Sequence, residues 1–291
     1  MIGYILIVFA TLCGNAKGFA GKKSSDALTT LSHKLYFGAV RTGTCALLGL
    51  CIWLCEGAIY QVGLDAVLIS VVSGLSQGIC MLVWITAVRS SAYVKLDIFC
   101  QAGMVIPCIF AAPLLGELVS VWQYIALGVL VVAICLVSDR GKTSSGKMKL
   151  WDLFLLLVVW VTSGLNSLTI KLYANIVEDG ESFFNLITFA VAAIFFFAFF
   201  ALSKKEGKMK LPKVHYFLYM PIMVVALYLY TFLQVEAAKY LDAMIMFPLK
   251  TVLGLFVSAL MAVLLFKEKL TAKNIIGMVL SAASIVTMNL F

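Results

Sequence analysis

Charged residues and histidines are scarce in this sequence, and both shortages restrict the class of protein. Only 12% of its 291 residues are charged and 63% are hydrophobic, whereas soluble domains carry about 25% charged residues. The two histidines, His33 and His215, belong to no histidine–glutamate or paired-aspartate motif. We therefore expect neither a soluble domain nor an enzyme, and we predict no cofactor and no metal ion.

Signals for disulfides, for export and for ion conduction are also missing. The eight cysteines lie in or beside apolar runs of the first half and show no paired spacing on loops, which predicts packing thiols. The N-terminal run has no basic start and no small-residue cleavage site, so it is not expected to be a removable signal peptide. A channel is disfavoured because the chain has no filter-like segment and no ring of like charges.

Apolar residues occur in ten runs, and most of them have about the 20 residues that a helix needs to cross a bilayer. These runs are apolar on every face, whereas barrel strands alternate in polarity. We therefore predict an all-α integral membrane protein with ten transmembrane helices. The predicted spans are Ile2–Phe19, Leu35–Leu54, Ala66–Val88, Val94–Pro113, Val119–Val137, Leu150–Leu172, Phe183–Leu202, Phe217–Ala237, Ala243–Phe266 and Asn274–Phe291.

The basic residues are distributed unequally between the two sets of connections. Arg41 and Lys250 lie within apolar runs, and Lys171 and Lys239 lie beside even-numbered connections. All other basic residues fall in or beside the odd-numbered connections (1–2, 3–4, 5–6, 7–8 and 9–10). By the positive-inside rule, these connections are cytoplasmic and both termini are outside. The odd connections are short and lack interleaved aromatics, so we expect no nucleic-acid partner.

The two halves of the chain resemble each other. A shift of 151 residues places Glu117 on Glu268, Ala92 on Ala243 and Gly103 on Gly254. A polar linker at 138–149 separates residues 1–137 from residues 150–291. Each half then holds five helices, and an odd number per half makes the two repeats inverted in the membrane.

Two hairpin segments carry a family resemblance. GELVSVWQYIALGVLVV and FKEKLTAKNIIGMVLSA resemble the glutamate hairpins of the EamA-type members of the drug/metabolite transporter superfamily, and FGAVRTGTCALLGL resembles the arginine-bearing start of their second helix. The chain departs from this pattern at Ala126, where glycine is usual, and in the positions of Pro107 and Pro248. The resemblance implies a ten-helix carrier of small molecules that works by alternating access. Several relatives have cytoplasmic termini, whereas the charges here predict the opposite.

Polar residues inside apolar runs are the candidates for a substrate site. A charge at mid-membrane costs at least about 2.5–3.5 kcal/mol, so it usually faces a wet cavity or a partner. Lys250 lies seven residues into the ninth run, and Arg41 lies six residues into the second run, at a position that resembles the family's arginine. Snorkelling of Lys250 to the interface, and an ion pair or a lipid contact for Arg41, are the alternatives. The remaining candidates are Asn15, Trp84, Gln101, Asn166, Asn185, Tyr228 and Tyr230.

Three other features have mainly structural interpretations. Lys17 lies in the glycine-bearing end of the first run, where a place at the membrane interface is favoured over lining the same cavity as Lys250. Glu117 and Glu268 lie in hairpin turns, where capping the following helix with the help of Ser120 or Thr271 is favoured over proton coupling. The GxxxG spacings at Gly14/Gly18 and Gly74/Gly78 predict close helix packing or the sliding that alternating access needs.

The basic candidates favour an anionic or zwitterionic metabolite, such as an amino acid, as the small-molecule substrate. The aromatic group of Trp84, Tyr228 and Tyr230 keeps open the alternative of an exporter of organic cations or drugs. We expect a multi-pass protein of a bacterial plasma membrane whose partners are the lipid bilayer, the substrate and a coupling ion or counter-substrate. Both a monomer and a homodimer are compatible with the sequence.

Overall fold

The computed structural model describes residues 1–25, 30–57, 63–87, 99–138, 150–203, 219–266 and 272–290. Within these ranges the chain is helical and has no strand, so the predicted all-α class is confirmed. The helices are α1 (Ile2–Ser25), α2 (Leu31–Cys55), α3 (Leu64–Ala87), α4 (an interrupted helix over 99–115), α5 (Val121–Ser138), α6 (Leu150–Ile176), α7 (Glu181–Ser203), α8 (Met220–Tyr240), α9 (Ala243–Phe266) and α10 (Ala272–Leu290).

Seven of these helices are long and apolar enough to cross a membrane, namely α1, α2, α3, α6, α7, α8 and α10. The other three contain shorter apolar helices over Phe99–Ile109, Val121–Leu136 and Ala243–Val257. Large apolar side chains lie on the outer surface, among them Phe197 (63% exposed) and Leu264 (67% exposed). Helices suit this setting because each one satisfies its backbone hydrogen bonds internally.

The fourth helix is broken, whereas the sequence predicts one continuous run over Val94–Pro113. Its helical parts are residues 99–102, Val105–Ile109 and Ala111–Leu115. Pro107 and Pro113 lack the N–H that would continue the helical ladder, which favours such breaks. Residues 94–98 of the predicted run lie outside the described ranges.

The first two helices differ from their predicted bounds at the odd-connection end of the bundle. α1 continues beyond Phe19 to Ser25, so Lys17 lies inside a helix. α2 begins at Leu31, and the Thr30 side chain accepts a hydrogen bond from the His33 N–H (3.2 Å). This cap satisfies one of the free N–H groups of the first turn. As a result, Arg41 lies deeper in its helix than the sequence predicts.

The two halves pack against each other in a two-fold pattern. The main contacts between halves pair α1 with α8, α3 with α6 and α7, α2 with α7, and α5 with α10. Replacing each helix by its counterpart five helices away converts α1–α8 into α6–α3 and leaves α2–α7 and α5–α10 unchanged. It converts α3–α7 into α8–α2, and these two helices are also in contact. This is the packing expected of inverted repeats. The boundary between the repeats stays a prediction, because residues 139–149 lie outside the described ranges.

Glycines allow α3 to approach α7 closely, as the Gly74/Gly78 spacing predicts. A Cβ at Gly74 would lie 2.5 Å from the Thr188 carbonyl oxygen and 2.7 Å from the Val191 Cβ. A Cβ at Gly78 would lie 3.0 Å from the Phe195 ring. Small residues at such an interface let the two helix backbones come together.

Candidate functional site

The aromatic ring of Tyr230 lies where α1, α8 and α9 meet, and two lysines approach it. Lys17 Nζ lies 4.0 Å from the ring centroid, and Lys250 Nζ lies 5.9 Å from the same centroid. The ring also packs on Gly14, where a Cβ would lie 2.8 Å from Tyr230 Cε2. The face of an aromatic ring attracts cations, and this attraction strengthens where water is excluded.

A buried glutamine holds Lys250 in this position. Lys250 Nζ donates a hydrogen bond to Gln234 Oε1 (2.8 Å), and Gln234 Nε2 donates to the Tyr230 carbonyl (3.1 Å). Gln234 is 1% exposed, so its amide has little access to other partners. Lys250 therefore points into the bundle from the depth that the sequence predicts.

Arg41 carries a buried guanidinium that has no acidic partner among the residues that the structure describes. It is 5% exposed, its Nη2 donates to the Met81 sulfur, and its Nε has no hydrogen-bond partner. A thioether is a weak acceptor, and arginine carries five N–H donors. Arg41 also lies within electrostatic reach of Lys17. The guanidinium thus retains donor groups for a ligand.

Positive charge is concentrated in this region. Among the described residues, Lys17, Arg41 and Lys250 form no ion pair with a carboxylate, whereas Lys171 and Lys239 do. Lys17 lies within electrostatic reach of both Arg41 and Lys250. Three uncompensated cations with low-dielectric walls attract an anion strongly.

One face of α1 borders an open space beside these cations. Gly14, Gly18 and Gly21 lie on this face, since residues four and seven positions apart share a helix side. A Cβ at Gly21 would lie 3.4 Å from Met223 and 3.6 Å from Trp84, whereas one at Gly18 would meet no atom within 4 Å. The open space therefore lies between the Tyr230 ring and the Trp84 ring, next to Lys17.

Asn15 and Gln101 are two further candidates from the sequence, and both are half-buried. Asn15 is half-buried on α1, and its side-chain amide donates to the Thr11 carbonyl (2.9 Å). Gln101 is half-buried and follows Cys100, which lies within electrostatic reach of Lys17 and Tyr230. The structure thus places Asn15 and Trp84 beside the part of α1 that carries Gly14, Lys17 and Gly21, whereas the role of Gln101 stays a prediction.

The structure places the other three candidate residues elsewhere. Asn166 accepts a hydrogen bond from Ser73 Oγ (3.1 Å), which links α6 to α3. Asn185 lies beside Tyr228, and neither side chain forms a well-shaped hydrogen bond there. Tyr228 and Tyr230 are two residues apart, so they point about 200° apart around α8. Asn185 and Tyr228 therefore belong to the opposite side of this helix.

Two residues of the cluster are missing from the sequence-based set. For Lys17 the sequence favours the interface over the cavity because it lies at the glycine-bearing end of the first run, whereas α1 continues to Ser25. Gln234 lies one turn after Tyr230, and this i, i+4 spacing is the signal that identifies it. Both residues contact predicted site residues directly.

The prediction that Glu117 caps the helix after it is wrong. Ser120 and Gln123 cap α5 instead, through reciprocal bonds of Ser120 N to Gln123 Oε1 (3.0 Å) and Gln123 N to Ser120 Oγ (3.3 Å). Gly116 has φ +68°, a left-handed conformation that ends α4 before Glu117. Both Glu117 carboxylate oxygens then accept from the Ala243 N–H (2.8 and 2.9 Å), at the start of α9. Glu268 and Thr271 lie outside the described residues.

Comparisons with known proteins agree with this architecture. The model of the EamA-like transporter family matches residues 150–290. A solved structure described only as "Crystal structure of protein" aligns with a TM-score of 0.74 and 12% identity, over 99% of this chain and 96% of the other. A search of curated proteins gives no match. The structural likeness shows the fold alone, and the family match agrees with the resemblance of the second hairpin, which lies within residues 150–290.

Proposed function

We propose that this multi-pass membrane protein, whose residues 150–290 match the EamA-like transporter family, is a secondary-active carrier of small anionic metabolites. The family match indicates a membrane transporter of the drug/metabolite type. The observation that carries the anion assignment is the group of Lys17, Arg41 and Lys250, which have no acidic partner within the described ranges. An anion entering the open space at Gly18 offsets their mutual repulsion.

Alternating access is supported by the way the halves meet. The end of the bundle that carries the even-numbered connections, here called the even end, is joined across the halves. Glu117 of the first half pairs with Lys171 and binds Ala243 of the second, and Glu56 accepts a hydrogen bond from Ser182. Rocking of one half against the other would break these contacts and open the even end.

An organic-cation substrate fits this cluster less well than an anion does. The Tyr230 face that would attract a cation is already occupied by Lys17 at 4.0 Å. Tyr228, which the sequence groups with Trp84 and Tyr230, faces the other side of α8. The aromatic cage that a cationic drug prefers is therefore not assembled around the open space.

The same proposal assigns the membrane orientation from the loop charges. The odd connections carry most of the lysines and arginines, so we place them in the cytoplasm and both termini outside. In this orientation the even end of the bundle faces the outside of the cell. A bacterial plasma membrane is the compartment in which we expect this arrangement.

A thermal-shift experiment on the detergent-purified protein tests the substrate class. The ligands are carboxylates, phosphorylated compounds, zwitterionic amino acids and quaternary amines. Each one is tested at a series of increasing concentrations. A ligand at 100 times its dissociation constant stabilises the protein by about 2.7 kcal/mol. We expect stabilisation by anions and its loss in Lys250→Ala. Stabilisation by amines alone, or by no anion, contradicts the proposal.

A further inference from the structure

Two equivalent glycines of the repeats pack very differently. Gly103 of α4 and Gly254 of α9 coincide at the shift of 151 residues. An added Cβ at Gly103 would overlap Ser163 Oγ of α6 and lie 2.9 Å from the Gly164 backbone nitrogen. An added Cβ at Gly254 would lie 3.9 Å from Thr11 Cγ2 of α1, which is an ordinary van der Waals distance. Since α6 is the counterpart of α1, the two repeats form a tight and a loose version of one interface.

The tight interface accompanies the break in α4. Ser163 Oγ donates a hydrogen bond to the Cys100 carbonyl (2.8 Å). Trp160 Nε1 donates one to the Ala102 carbonyl (3.2 Å). Both bonds satisfy carbonyls where the helical ladder of α4 is interrupted, whereas α9 runs unbroken over Ala243–Phe266. The tight contact thus belongs to the broken helix and the loose contact to the continuous one.

The inverted arrangement of the repeats connects this difference to the two ends of the bundle. In the present structure the even end is joined across the halves by the Glu117–Lys171 ion pair. The repeats have opposite orientations in the membrane, so exchanging their conformations turns a protein that is closed at the even end into one that is closed at the odd end. The tight and the loose interface change places in the same exchange.

We propose that Gly254 is the hinge residue of the step that opens the even end. In this step α9 breaks at Gly254 and docks on α1, while α4 straightens at Gly103 and separates from α6. This inference rests on the proposed function, because it specifies how alternating access occurs. Glycine suits both positions, since a side chain would keep the two helix backbones apart.

The same step moves a residue of the substrate site. Lys250 lies one turn before Gly254 on α9, so a break at Gly254 reorients it relative to the rest of the helix. Gly14, the counterpart of Ser163 at a shift of 149 residues, is the part of α1 on which the Tyr230 ring packs. Docking of α9 on α1 therefore changes the distance from Lys250 Nζ to the Tyr230 centroid, which is 5.9 Å in the present structure.

A buried cysteine at the even end reports its opening. Ala238 is 0% exposed, and its carbonyl accepts a hydrogen bond from Lys171 beside the Glu117 pair. Ala238→Cys in a cysteine-free background is therefore expected to react with a charged maleimide only when the even end opens. The labelling rate is measured in nanodiscs, where the reagent reaches both ends of the protein whatever its orientation in the cell.

Two substitutions are expected to change this rate in opposite directions. Gly254→Ala should slow labelling about fivefold or more, because the methyl group favours the continuous helix and obstructs docking on α1. Gly128→Ala is the matched control, since it adds the same methyl group to a helix where no atom lies within 4 Å, and we expect no change. Trp160→Phe removes the bond to the Ala102 carbonyl from the tight interface and should accelerate labelling about fivefold.

The outcomes separate the hinge from the proposal beneath it. A general loss of stability would accelerate labelling in every variant, so slower labelling of Gly254→Ala supports a hinge. Labelling of Gly254→Ala that is as fast as that of Gly128→Ala, or faster, overturns the hinge and leaves alternating access intact. If Ala238→Cys reacts only when the protein unfolds, the even end does not open, and both inferences are overturned.

Discussion

Glu117 and Lys171 form a buried ion pair that joins the two halves of the protein. Their charged atoms are 3.4 Å apart, and their side chains are 8% and 6% exposed. Lys171 Nζ also donates to the carbonyls of Ala238 (2.9 Å) and Leu241 (2.8 Å) at the end of α8, while Glu117 binds the start of α9. A cation at a helix C-terminus and an anion at a helix N-terminus both match the helix dipoles.

Neutralising one member of this pair is expected to destabilise the protein. Glu117→Gln leaves Lys171 buried with only carbonyl partners, and breaking a buried pair costs about 3–5 kcal/mol. We expect the free energy of unfolding to fall by about 3 kcal/mol, the lower end of this range. The loss is limited because the hydrogen bonds from Lys171 to the two carbonyls remain. Reversible unfolding in mixed micelles measures the difference in free energy of unfolding between this variant and the unchanged protein.

Glu178→Gln is the matched control for this measurement. Glu178 is an exposed carboxylate at the same even end of the bundle, and surface charges contribute about 0–1 kcal/mol. Equal effects of the two substitutions would show that the Glu117 pair adds no stability. A double variant, Glu117→Gln with Lys171→Met, is expected to recover part of the loss, because no uncompensated charge stays buried.

Filling the open space at Gly18 is expected to block the binding site without unfolding the chain. A leucine at this position enters the region between Tyr230 and Trp84, so it competes with the substrate for volume. Gly128→Leu is the matched control, because Gly128 also has no atom within 4 Å of an added Cβ but lies on an exposed surface of α5. Ligand-dependent thermal stabilisation is measured for both variants. Similar stabilisation of Gly18→Leu and Gly128→Leu would place the site elsewhere.

The Gln234 bond to Lys250 is expected to position the lysine for the ligand. Gln234→Leu keeps the volume of the side chain and removes the acceptor at 2.8 Å. We expect the affinity for the preferred anion to fall about three- to tenfold, which corresponds to roughly 1 kcal/mol for one hydrogen bond. Lys250→Ala is expected to have a larger effect, while Lys250→Arg is expected to have a smaller one. If Gln234→Leu and Lys250→Ala were both without effect, Lys250 would not contact the substrate.

The sequence predicts the helices well because their signal is local. Runs of apolar residues locate ten helical segments, and Ala243 marks the start of α9, so the depth of Lys250 follows directly. The break in α4 also has a local cause, namely Pro107 and Pro113. It is not visible in the hydropathy, because the apolar run continues through both prolines. Helix ends are predicted less well: the lysines near the end of α1 suggest a loop, and the structure continues the helix through them.

Which side chains line the site depends on how distant helices pack together, and the sequence reveals this packing only in part. The angular separation of Tyr228 and Tyr230 on one helix is predictable from the 3.6-residue period, and it already argues against a shared cavity. The role of Glu117 is not predictable in this way. Its partners Lys171 and Ala243 come from the other half of the chain, so local turn chemistry suggests a cap on α5 where the structure has a bridge to α9.

The proposed orientation predicts which connections reagents reach from each side. Two single-cysteine variants in a cysteine-free background test it, Ser144→Cys in the linker and Asp179→Cys in the connection between α6 and α7. We expect a membrane-impermeant maleimide to label Asp179→Cys in intact cells and Ser144→Cys only after the membrane is opened, because the odd connections carry the basic residues. The reverse labelling would invert the orientation.

Countertransport in proteoliposomes tests the central claim most directly. Vesicles containing purified protein are loaded with the unlabelled anion that stabilises the protein most in the thermal-shift experiment, and entry of the same labelled anion is followed in the absence of other gradients. An alternating-access carrier of anions is expected to accelerate this entry when the internal anion is present, and Gly18→Leu is expected to abolish the acceleration. Anion entry that does not depend on the internal anion, or acceleration seen only with organic amines, would contradict the account.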